Sequence, residues 1–502
     1  MASHTELEQS LQLAREDTRF FGHPRGLATL FFTEMWERFS YYGMRALLIL
    51  FMTAPLAGGG LGFSVVKGGA VYGFYTAMVY LLSLPGGWVA DRITGQRRAV
   101  LYGGILISAG EFCLVIPTMW GFYLGLVLLM LGTGLLKPNV STIVGQIYAP
   151  GDARRDSGFS IFYMGINLGA LLSPLACGWV GERISWRLGF GLAGVGMLAG
   201  LIQYVWGGKY LGSAGLYPNS SGDPAVDRRQ KRNGAVVGIA ALAILSLLAV
   251  LGAAGAIEIT AERISDALGW SLLAISAAVF AWLIFGRSWS PTERKRSTAM
   301  LVLFVASAIF WSAFEQAGSS LNLFAERATN RQVMGFDFPA SWFQSVNSIF
   351  IIILAPVFAW LWIALRRREP SSPTKFSLGL LFAGLSFLIL VPPAVANASG
   401  ALVSPWWLTG SYFLATLGEL CLSPVGLSAM TKLAPQRAAG FMMGVWFLSI
   451  SMGDWLAGRA GSLYESMPLH TLFGTVAVFS IGAAVVLALL VRPTVRLMSG
   501  VK

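Results

Sequence analysis

Long apolar stretches separated by short polar loops run through most of the 502-residue chain. A helix needs about 20 apolar residues to cross the hydrocarbon core of a bilayer, so each run of that length predicts a membrane-spanning helix. About fourteen such runs occur, and they begin near Gly26, Gly68, Arg98, Trp120, Gly158, Trp186, Asn233, Ser265, Thr298, Ala340, Phe376, Trp406, Phe441 and Leu469. The pattern predicts an all-α polytopic membrane protein.

The loops between these runs alternate in basic charge. Arginine and lysine are concentrated in one set of loops, whereas the loops of the other set carry few of them. The basic set comprises residues 91–98, 151–158, 227–233, 287–296, 366–375 and 431–437. Basic loops remain on the cytoplasmic side of a membrane, so we expect these loops and both termini in the cytoplasm.

Two polar stretches divide the chain. Residues 207–232 and 287–297 flank an extra pair of helices at about 233–286, which leaves twelve core helices in two sixes. The predicted units are a cytoplasmic segment (1–25), an N-terminal six-helix bundle (26–206), linkers with the inserted pair (207–297), a C-terminal six-helix bundle (298–492) and a cytoplasmic tail (493–502). Two sixes, each built from three plus three, are the plan of the major facilitator fold. The stretch "GGWVADRITGQRR" at 86–98 resembles the loop signature of that superfamily.

Composition narrows the function classes. The chain is 55% hydrophobic and only 12% charged, whereas soluble domains have about 25% charged residues. The net charge of +12 comes from residues between apolar runs, so it indicates membrane orientation rather than nucleic-acid binding. The three cysteines lie in apolar runs without metal-ligand spacing, and the three histidines lie outside the runs. We therefore expect no metal, no cofactor other than protons as coupling ions, and no histidine proton relay at mid-membrane.

The first apolar run contains an unusual concentration of charge, in "TEMWERFSYYGMRA" at 33–46. At roughly 100° per residue, its polar and aromatic positions fall within an arc of about 140° on one helix face. These positions are Glu34, Glu37, Arg38, Tyr41, Tyr42 and Arg45. A charged side chain at mid-membrane costs about 2.5–3.5 kcal/mol and normally faces a bundle interior or a water-filled cavity. The stripe therefore predicts a polar cavity beside this helix.

Three other core helices carry a charge in an apolar run. Lys137 lies in the fourth core helix, Glu315 in the seventh and Glu419 in the tenth. Helices 1, 4, 7 and 10 begin the four three-helix repeats, and equivalent helices occupy equivalent places in a pseudo-symmetric fold. Their charges are therefore expected to meet in one central cavity. Ion pairs that only hold the bundle together are the alternative, but the desolvation cost makes buried pairs poor stabilisers.

Depth along the helices suggests the pairing. Arg45 and Glu315 both lie about 18 residues past the cytoplasmic entry of their helices, so they should meet in the outer half. Lys137 and Glu419 lie near the middle, and Glu37 reaches almost the same level. Lys137 would then have two competing carboxylate partners, Glu37 and Glu419. Protonation of one carboxylate would free the lysine for the other, which is a plausible switch.

Further polar and aromatic side chains in the apolar runs are weaker candidates for ligand contact. They are Tyr80, Asn167, Trp311, Asn347, Ser423 and Trp446. A tryptophan taken singly is more often a packing or interface residue. Glu111 is the only carboxylate of the third core helix, and the sequence suggests no partner or role for it.

The motifs resemble those of the proton-dependent oligopeptide transporters. "ExxERFSYYG" at 34–43 is similar to their first-helix signature, and "FYMGINLGALLSP" at 162–174 to their fifth-helix signature. The blocks "GLLKPN", "FWSAFEQAGS", "FQSVN" and "GELCLSPVGLS" follow in the family order, and the inserted helix pair resembles that of the bacterial members. The likeness covers essentially the whole chain.

The resemblance implies a role for each matching residue. Glu34, Glu37, Arg38 and Glu315 would take part in proton coupling, and Arg45 with Glu315 would close an outer gate. Lys137 would bind the peptide carboxyl terminus and pair with Glu419 in an inner gate, and Glu419, helped by Asn167 and Asn347, would receive the amino terminus. Arg38, Arg45, Tyr41, Tyr42, Tyr80, Trp311, Ser423 and Trp446 would complete the binding site. Mammalian members carry a histidine in the second helix that is missing here, so the carboxylates must bind the protons.

The sequence thus predicts a symporter that imports di- and tripeptides with protons across the bacterial plasma (inner) membrane. We expect it to function as a monomer in the lipid bilayer without a nucleic-acid partner. A symporter for another substrate such as nitrate, a membrane enzyme and a channel are the alternatives. The paired peptide-terminus residues argue against nitrate, and no histidine is placed for catalysis. A counterflow experiment would distinguish a symporter from a channel, because a channel shows no stimulation of uptake by substrate on the opposite side.

Overall fold

Helices account for most of the computed structural model, which describes residues 4–219, 223–253, 258–434 and 439–500. The basic loop predicted at 431–437, the inserted pair and both termini therefore lie partly outside the described residues. The first half contains α1 (His4–Glu16), α2 (Arg25–Thr53), α3 (Val65–Leu81), α4 (Ser83–Val89), α5 (Gln96–Val115), α6 (Met119–Gln146), α7 (Arg155–Arg183) and α8 (Trp186–Gly207). The inserted pair is α9 (Pro224–Ala253) and α10 (Ala261–Phe285).

The second half contains eight helices and one small hairpin among the described residues. The helices are α11 (Pro291–Phe314), α12 (Ser320–Arg327), α13 (Phe343–Leu365), α14 (Ser372–Leu388), α15 (Val391–Asn397), α16 (Pro405–Leu433), α17 (Ala439–Ser462) and α18 (Leu469–Leu497). The strands β1 (Gln332–Val333) and β2 (Phe336–Asp337) pair antiparallel between α12 and α13. Met334 and Gly335 both have positive φ in the turn, as a tight two-residue hairpin requires.

Every predicted apolar run contains a helix. α9 begins at Pro224 rather than near Asn233, because Asp223 caps the amide of Ala225 and proline suits the first helical position. Eleven helical segments of the described residues are long and apolar enough to cross a membrane by length and composition. α2 is not one of them, because its polar stripe carries four formal charges.

Three of the core helices are interrupted in the described residues: residues 389–390 separate α14 from α15, and the other two helices contain irregular turns. After α4 the backbone forms a π turn (Ala90–Thr94). The helix ends at Gly95, which has a positive φ of 79°. α11 ends at Phe314, and a 3₁₀ turn (Glu315–Gly318) separates it from α12. Irregular backbone at membrane depth is tolerated where it is buried in protein or lines a cavity. The interruption at Glu315 is therefore expected to lie in the protein interior or beside a cavity.

Helix packing produces a central space between the two halves. α2 packs against α7 and α8 in the first half, and α14 packs against α16 and α18 in the second. The halves meet along α3 with α17 and along α7 with α13. The inserted helix α10 lies outside this arrangement, where the Trp455 indole donates to the Ser265 carbonyl oxygen at 2.8 Å. Arg459 also pairs with Asp266 at 3.0 Å.

Candidate functional site

A cavity of about 250 Å³ lies between the two halves. Its lining includes thirteen of the residues singled out from the sequence, namely Glu34, Arg38, Tyr42, Arg45, Tyr80, Lys137, Asn167, Trp311, Glu315, Asn347, Glu419, Ser423 and Trp446. They come from helices of both halves. The structure therefore brings most of the predicted residues to one site. A separate hollow of about 440 Å³ between α1 and the turn at Gly208–Leu211 contains none of them.

Two predicted residues, Glu37 and Tyr41, are not part of the cavity lining. Both are buried, with 0% and 5% of their surface exposed. On a helix of about 100° per residue, both positions lie at one edge of the predicted arc. That edge turns towards the interior of the first bundle, where neighbouring Ser40 donates to Glu111 at 3.0 Å. Tyr41 and Glu37 therefore lie behind the cavity wall in this structure, next to the lining residue Arg38, and the predicted peptide contact by Tyr41 stays a prediction.

The charged part of the α2 stripe forms a buried triad. The Nε atom of Arg38 lies 3.2 Å from Glu34 and also donates to Glu37. One carboxylate oxygen on each glutamate and one Arg38 nitrogen have no hydrogen-bond partner among the described residues. Two carboxylates thus share one guanidinium, and the remaining polar atoms are available for a proton, water or ligand.

The predicted pair of Arg45 and Glu315 is present, with 2.6 Å between Nη2 and Oε2. Arg45 also donates through Nε to the Tyr72 hydroxyl at 2.8 Å. Both charged side chains are about 95% buried, and the 3₁₀ turn after α11 places Glu315 opposite α2. We call this pair the outer gate after the role that the family resemblance implies for it; it lies towards the ends of α2 and α11 that are distant from the basic loops.

Lys137 forms no ion pair with Glu37 or Glu419 in this structure, so the predicted switch between these two carboxylates stays a prediction. Its ammonium lies 3.5 Å from the centre of the Tyr80 ring, and it forms no ion pair among the described residues. A cation over an aromatic face is stabilised by the ring quadrupole. Lys137 and Glu419 both line the cavity, so the lysine is free to bind an anion there.

The opposite side of the cavity is acidic. Glu419 Oε2 accepts a hydrogen bond of 3.0 Å from the Asn347 amide, which also donates to the Thr416 hydroxyl. Asn167 donates to the carbonyl oxygen of Tyr163 at 3.0 Å, one helical turn earlier. Asn347 thus orients the carboxylate that the sequence analysis assigned to a ligand amine, whereas Asn167 contacts its own helix.

Aromatic side chains form much of the remaining wall. Tyr80 lies 6.3 Å from Phe447, and Trp446 lies 6.4 Å from Phe376, measured between ring centroids. The indole nitrogen of Trp311 is buried without a partner among the described residues. Such surfaces can accept varied apolar groups.

Several lining residues are not apparent from the sequence. Tyr163, Gln344 and Tyr412 all line the cavity, and Gln344 donates to the Ala317 carbonyl oxygen and lies 3.5 Å from the Tyr412 hydroxyl. Polar residues at the edge of an apolar run give only a weak signal. Asp454 is a clearer omission, because it is a carboxylate within the apolar run "SISMGDWLAG" and is completely buried in α17.

Other predicted features lie away from the cavity. Glu111, which the sequence left without a partner, accepts the Ser40 hydrogen bond within the first bundle. His23 lies 2.9 Å from the Tyr148 hydroxyl just before α2, and no described histidine lines the cavity. In the described residues no group of three histidine, cysteine, aspartate or glutamate side chains could hold a metal ion.

Comparison with known proteins identifies the family of the chain. The sequence pattern of the POT family matches residues 97–477. The chain is 43% identical over 495 residues to the peptide transporter YePEPT of Yersinia enterocolitica subsp. palearctica serotype O:3, covering 96% of both chains. It is 36% identical over 500 residues to a di-/tripeptide transporter of Lactococcus lactis subsp. cremoris, covering 98% of this chain and 99% of the relative.

A crystal structure of a peptide transporter POT in complex with sulfate superimposes with a TM-score of 0.92 and 46% identity, covering 98% of this chain and 99% of that one. This likeness confirms the predicted fold class of a polytopic helical protein with the major facilitator arrangement. The relatives are transporters rather than enzymes, and the match extends over almost the whole chain. The protein therefore belongs to the POT family of membrane transporters.

Proposed function

We propose that the chain is a proton-coupled symporter that imports di- and tripeptides by alternating access. The observation that carries this proposal is the charge arrangement of the cavity between the two halves. Arg38 and Lys137 contribute positive charge from the first half, and Glu419 contributes negative charge from the second. The named relatives are a peptide transporter and a di-/tripeptide transporter, which supports a peptide as the cargo.

A short peptide is a zwitterion that fits this arrangement. Its carboxylate would bind Lys137, whose ammonium has no carboxylate partner among the described residues. Its amino group would bind Glu419, which Asn347 already holds in position. Charge-assisted hydrogen bonds at both ends fix the peptide main chain, while the aromatic walls leave room for different side chains.

The two gates have opposite states here. The outer gate of Arg45 and Glu315 is formed, whereas the Lys137–Glu419 pair, which we call the inner pair, is not. Alternating access requires that one side closes while the other opens, as the two bundles rock around a fixed central site. The arrangement is that expected of a transporter facing the cytoplasm.

Proton coupling would use the carboxylates that share a cation. Glu34 and Glu37 both contact Arg38, and protonation of either leaves the arginine to the other or to the ligand. Protonation of Glu315 would remove the charge that holds Arg45 and weaken the outer gate. Protons from outside would thus favour opening towards the peptide, and peptide binding would favour closure.

The basic loops support a cytoplasmic position of both termini, and the named relatives from Yersinia and Lactococcus support a bacterial inner-membrane protein. We propose function as a monomer, because the whole cavity is built from one chain. Fusion of a cytoplasm-specific and a periplasm-specific reporter enzyme to Lys502 would test the orientation. Activity of the periplasmic reporter would contradict it.

The first test is transport in liposomes. Labelled dialanine should enter faster with an inward proton gradient, and unlabelled tripeptide should compete whereas single amino acids should not. Internal peptide should also accelerate entry by exchange, which a channel would not show. Absence of gradient stimulation in correctly folded protein would contradict the proposed symport.

Glu315→Gln tests the coupling mechanism. Gradient-driven uptake is expected to fall about 5- to 150-fold, the usual range for coupling free energies of 1–3 kcal/mol between sites, while exchange is retained. Glu465→Gln is the control, because Glu465 pairs with Arg327 at 2.6 Å on the exposed surface of the second half. Full gradient-driven uptake by Glu315→Gln would reject the assignment.

A further inference from the structure

Asp454 is a buried carboxylate that the proposed cycle does not yet use. It lies in α17 on the same helix face as Phe447 and Ile450, which are seven and four positions earlier and line the cavity. Asp454 itself is 0% exposed and is not part of the lining. It therefore continues the cavity-facing stripe beyond the outer end of the cavity.

The neighbours of Asp454 place it beside the outer gate. Ser451, one turn earlier, donates to the carbonyl oxygen of Ala77 in α3 at 2.8 Å. Ala457, one turn later, lies with its carbonyl oxygen 3.5 Å from the Ser319 hydroxyl. Ser319 directly follows the 3₁₀ turn that holds Glu315. Asp454 thus lies between α3 and the interruption that positions the gate carboxylate.

The ionisable groups around Asp454 contact other partners, and none of them donates a hydrogen bond to its carboxylate in the described residues. The charged groups near Asp454 include the Glu315 carboxylate and the cations of Arg45 and Lys137, and the hydroxyls of Tyr72 and Tyr80 in α3 are also nearby. Arg45 contacts Glu315 and Tyr72, and Lys137 lies over Tyr80. On the other packed helices, Asp266 of α10 pairs with Arg459, and Glu419 of α16 is bound by Asn347.

Neither carboxylate oxygen of Asp454 has a hydrogen-bond partner among the described residues. Burial of an ionised carboxylate without a donor is strongly unfavourable, and a group in that position takes up a proton instead. An ionised Asp454 would also repel Glu315 and compete with it for Arg45. The closed outer gate therefore fits a neutral Asp454 and not a charged one.

We propose that Asp454 is a further proton-coupling residue, whose protonation is required for closure of the outer gate. In the outward-facing state its carboxylate binds a proton from external water, and the Arg45–Glu315 pair can then form. In the inward-facing state, opening of the packing around Asp454 lets water from the cavity reach the carboxylate and take the same proton. The restored negative charge destabilises the closed gate and returns the empty transporter to the outside. This role rests on the proton symport proposed above.

Asp454→Asn tests the proposal, because asparagine has the shape of the protonated acid but cannot lose a proton. The variant is expected to lose stimulation of uptake by a proton gradient and to keep exchange, which does not require return of the empty carrier. Asp266→Asn is the matched control. Its carboxylate contacts the same helix, but 43% of its side chain is exposed, so coupling should be unchanged. Asp454→Ser, a second uncharged variant, should behave like Asp454→Asn.

A structural measurement gives the sign of the effect. Spin labels at Leu56 and Leu402, which are exposed in outer loops of the two halves, report opening of the outer side. In otherwise unchanged protein, rising pH should increase the open fraction as Asp454 loses its proton. In Asp454→Asn this increase should vanish, leaving only the opening at low pH that protonation of Glu315 causes.

The outcomes separate the two proposals. If the unmodified protein shows gradient-stimulated uptake and Asp454→Asn shows the same stimulation and the same opening at high pH, only the role of Asp454 is rejected. If the unmodified protein shows no gradient stimulation, proton symport itself is rejected, and the role of Asp454 with it. Loss of stimulation in Asp266→Asn as well would show that any carboxylate contacting α17 matters, which also contradicts the proposal.

Discussion

At the scale of single residues, Arg45 of the outer gate is held by a hydrogen bond as well as by an ion pair. Arg45 uses Nη2 for Glu315 and Nε for the Tyr72 hydroxyl. The guanidinium is planar and has several donors in fixed directions, whereas an ammonium is a compact point charge. The gate therefore depends on the shape of arginine as well as on its positive sign.

Arg45→Lys is expected to weaken the closed outer gate. Lysine can still approach Glu315 but cannot keep both contacts, and a hydrogen bond to a charged group contributes about 1.5–3 kcal/mol. The measurement is the rate at which a membrane-impermeant reagent modifies a cysteine at Leu321, a cavity-lining position of α12, in protein without its native cysteines. The rate should rise from the outside.

Tyr72→Phe supplies the matched control for this gate. It removes only the hydroxyl that Arg45 contacts, so it should raise the modification rate by a smaller factor than Arg45→Lys. An unchanged rate in both variants would contradict a role of the arginine geometry in closure.

At the scale of helices, close approach depends on glycine. A Cβ atom added to Gly73 of α3 would lie 2.8 Å from the Cα of Gly458 in α17, closer than real side chains come. Small residues at such crossings allow helix backbones to pack closely in membranes. The α3–α17 contact joins the two halves beside the outer gate, so we expect its spacing to affect the gate as well as stability.

Gly73→Ala is therefore expected to separate α3 from α17. Overpacking of a close contact costs about 1–3 kcal/mol, which should lower the thermal unfolding temperature and the rate of peptide uptake. Gly482→Ala in α18 is the control, because a Cβ there meets no described heavy atom within 4 Å. A destabilisation of equal size in both variants would show that helix contact is not the cause.

At the scale of the whole molecule, a second contact joins the two halves at the same end as the outer gate. Glu182 at the end of α7 accepts hydrogen bonds of 2.8 Å from the backbone amides of Ala340 and Ser341. Arg183 pairs with Asp337 of the hairpin at 2.7 Å. The free amides at a helix start attract negative charge, so Glu182 stabilises the closed arrangement.

Glu182→Gln should shift the molecule towards outer opening. The neutral amide keeps one acceptor oxygen and loses the charge, and the cost is again about 1.5–3 kcal/mol for a charge-assisted bond. Spin labels at Leu56 and Leu402 should show a larger fraction of long distances. Glu465→Gln should show no change, since the Arg327–Glu465 pair lies within one half. Unchanged distances in Glu182→Gln would contradict this second contact.

Three cases show which side-chain contacts could be predicted from the sequence and which could not. The pairing of Arg45 with Glu315 followed from equal depth in two helices that enter from the same side. The pairing of Lys137 with Glu419 followed from the same reasoning, yet in this structure the Lys137 ammonium lies over the Tyr80 ring instead. Asp454 was overlooked, although it gives the same signal as Glu315, a single carboxylate in an apolar run.

The sequence alone was enough to predict the helices, the family and the charged residues that line the cavity. Those properties follow from local hydrophobicity and from the high cost of placing charge in a membrane, which every charged residue in an apolar run reveals. The tertiary structure alone decided that Glu37 and Tyr41 face the bundle interior, that Lys137 lies over Tyr80 and that Asp454 lacks a donor. These facts depend on the rotation and spacing of packed helices, which the periodicity of a single chain does not specify.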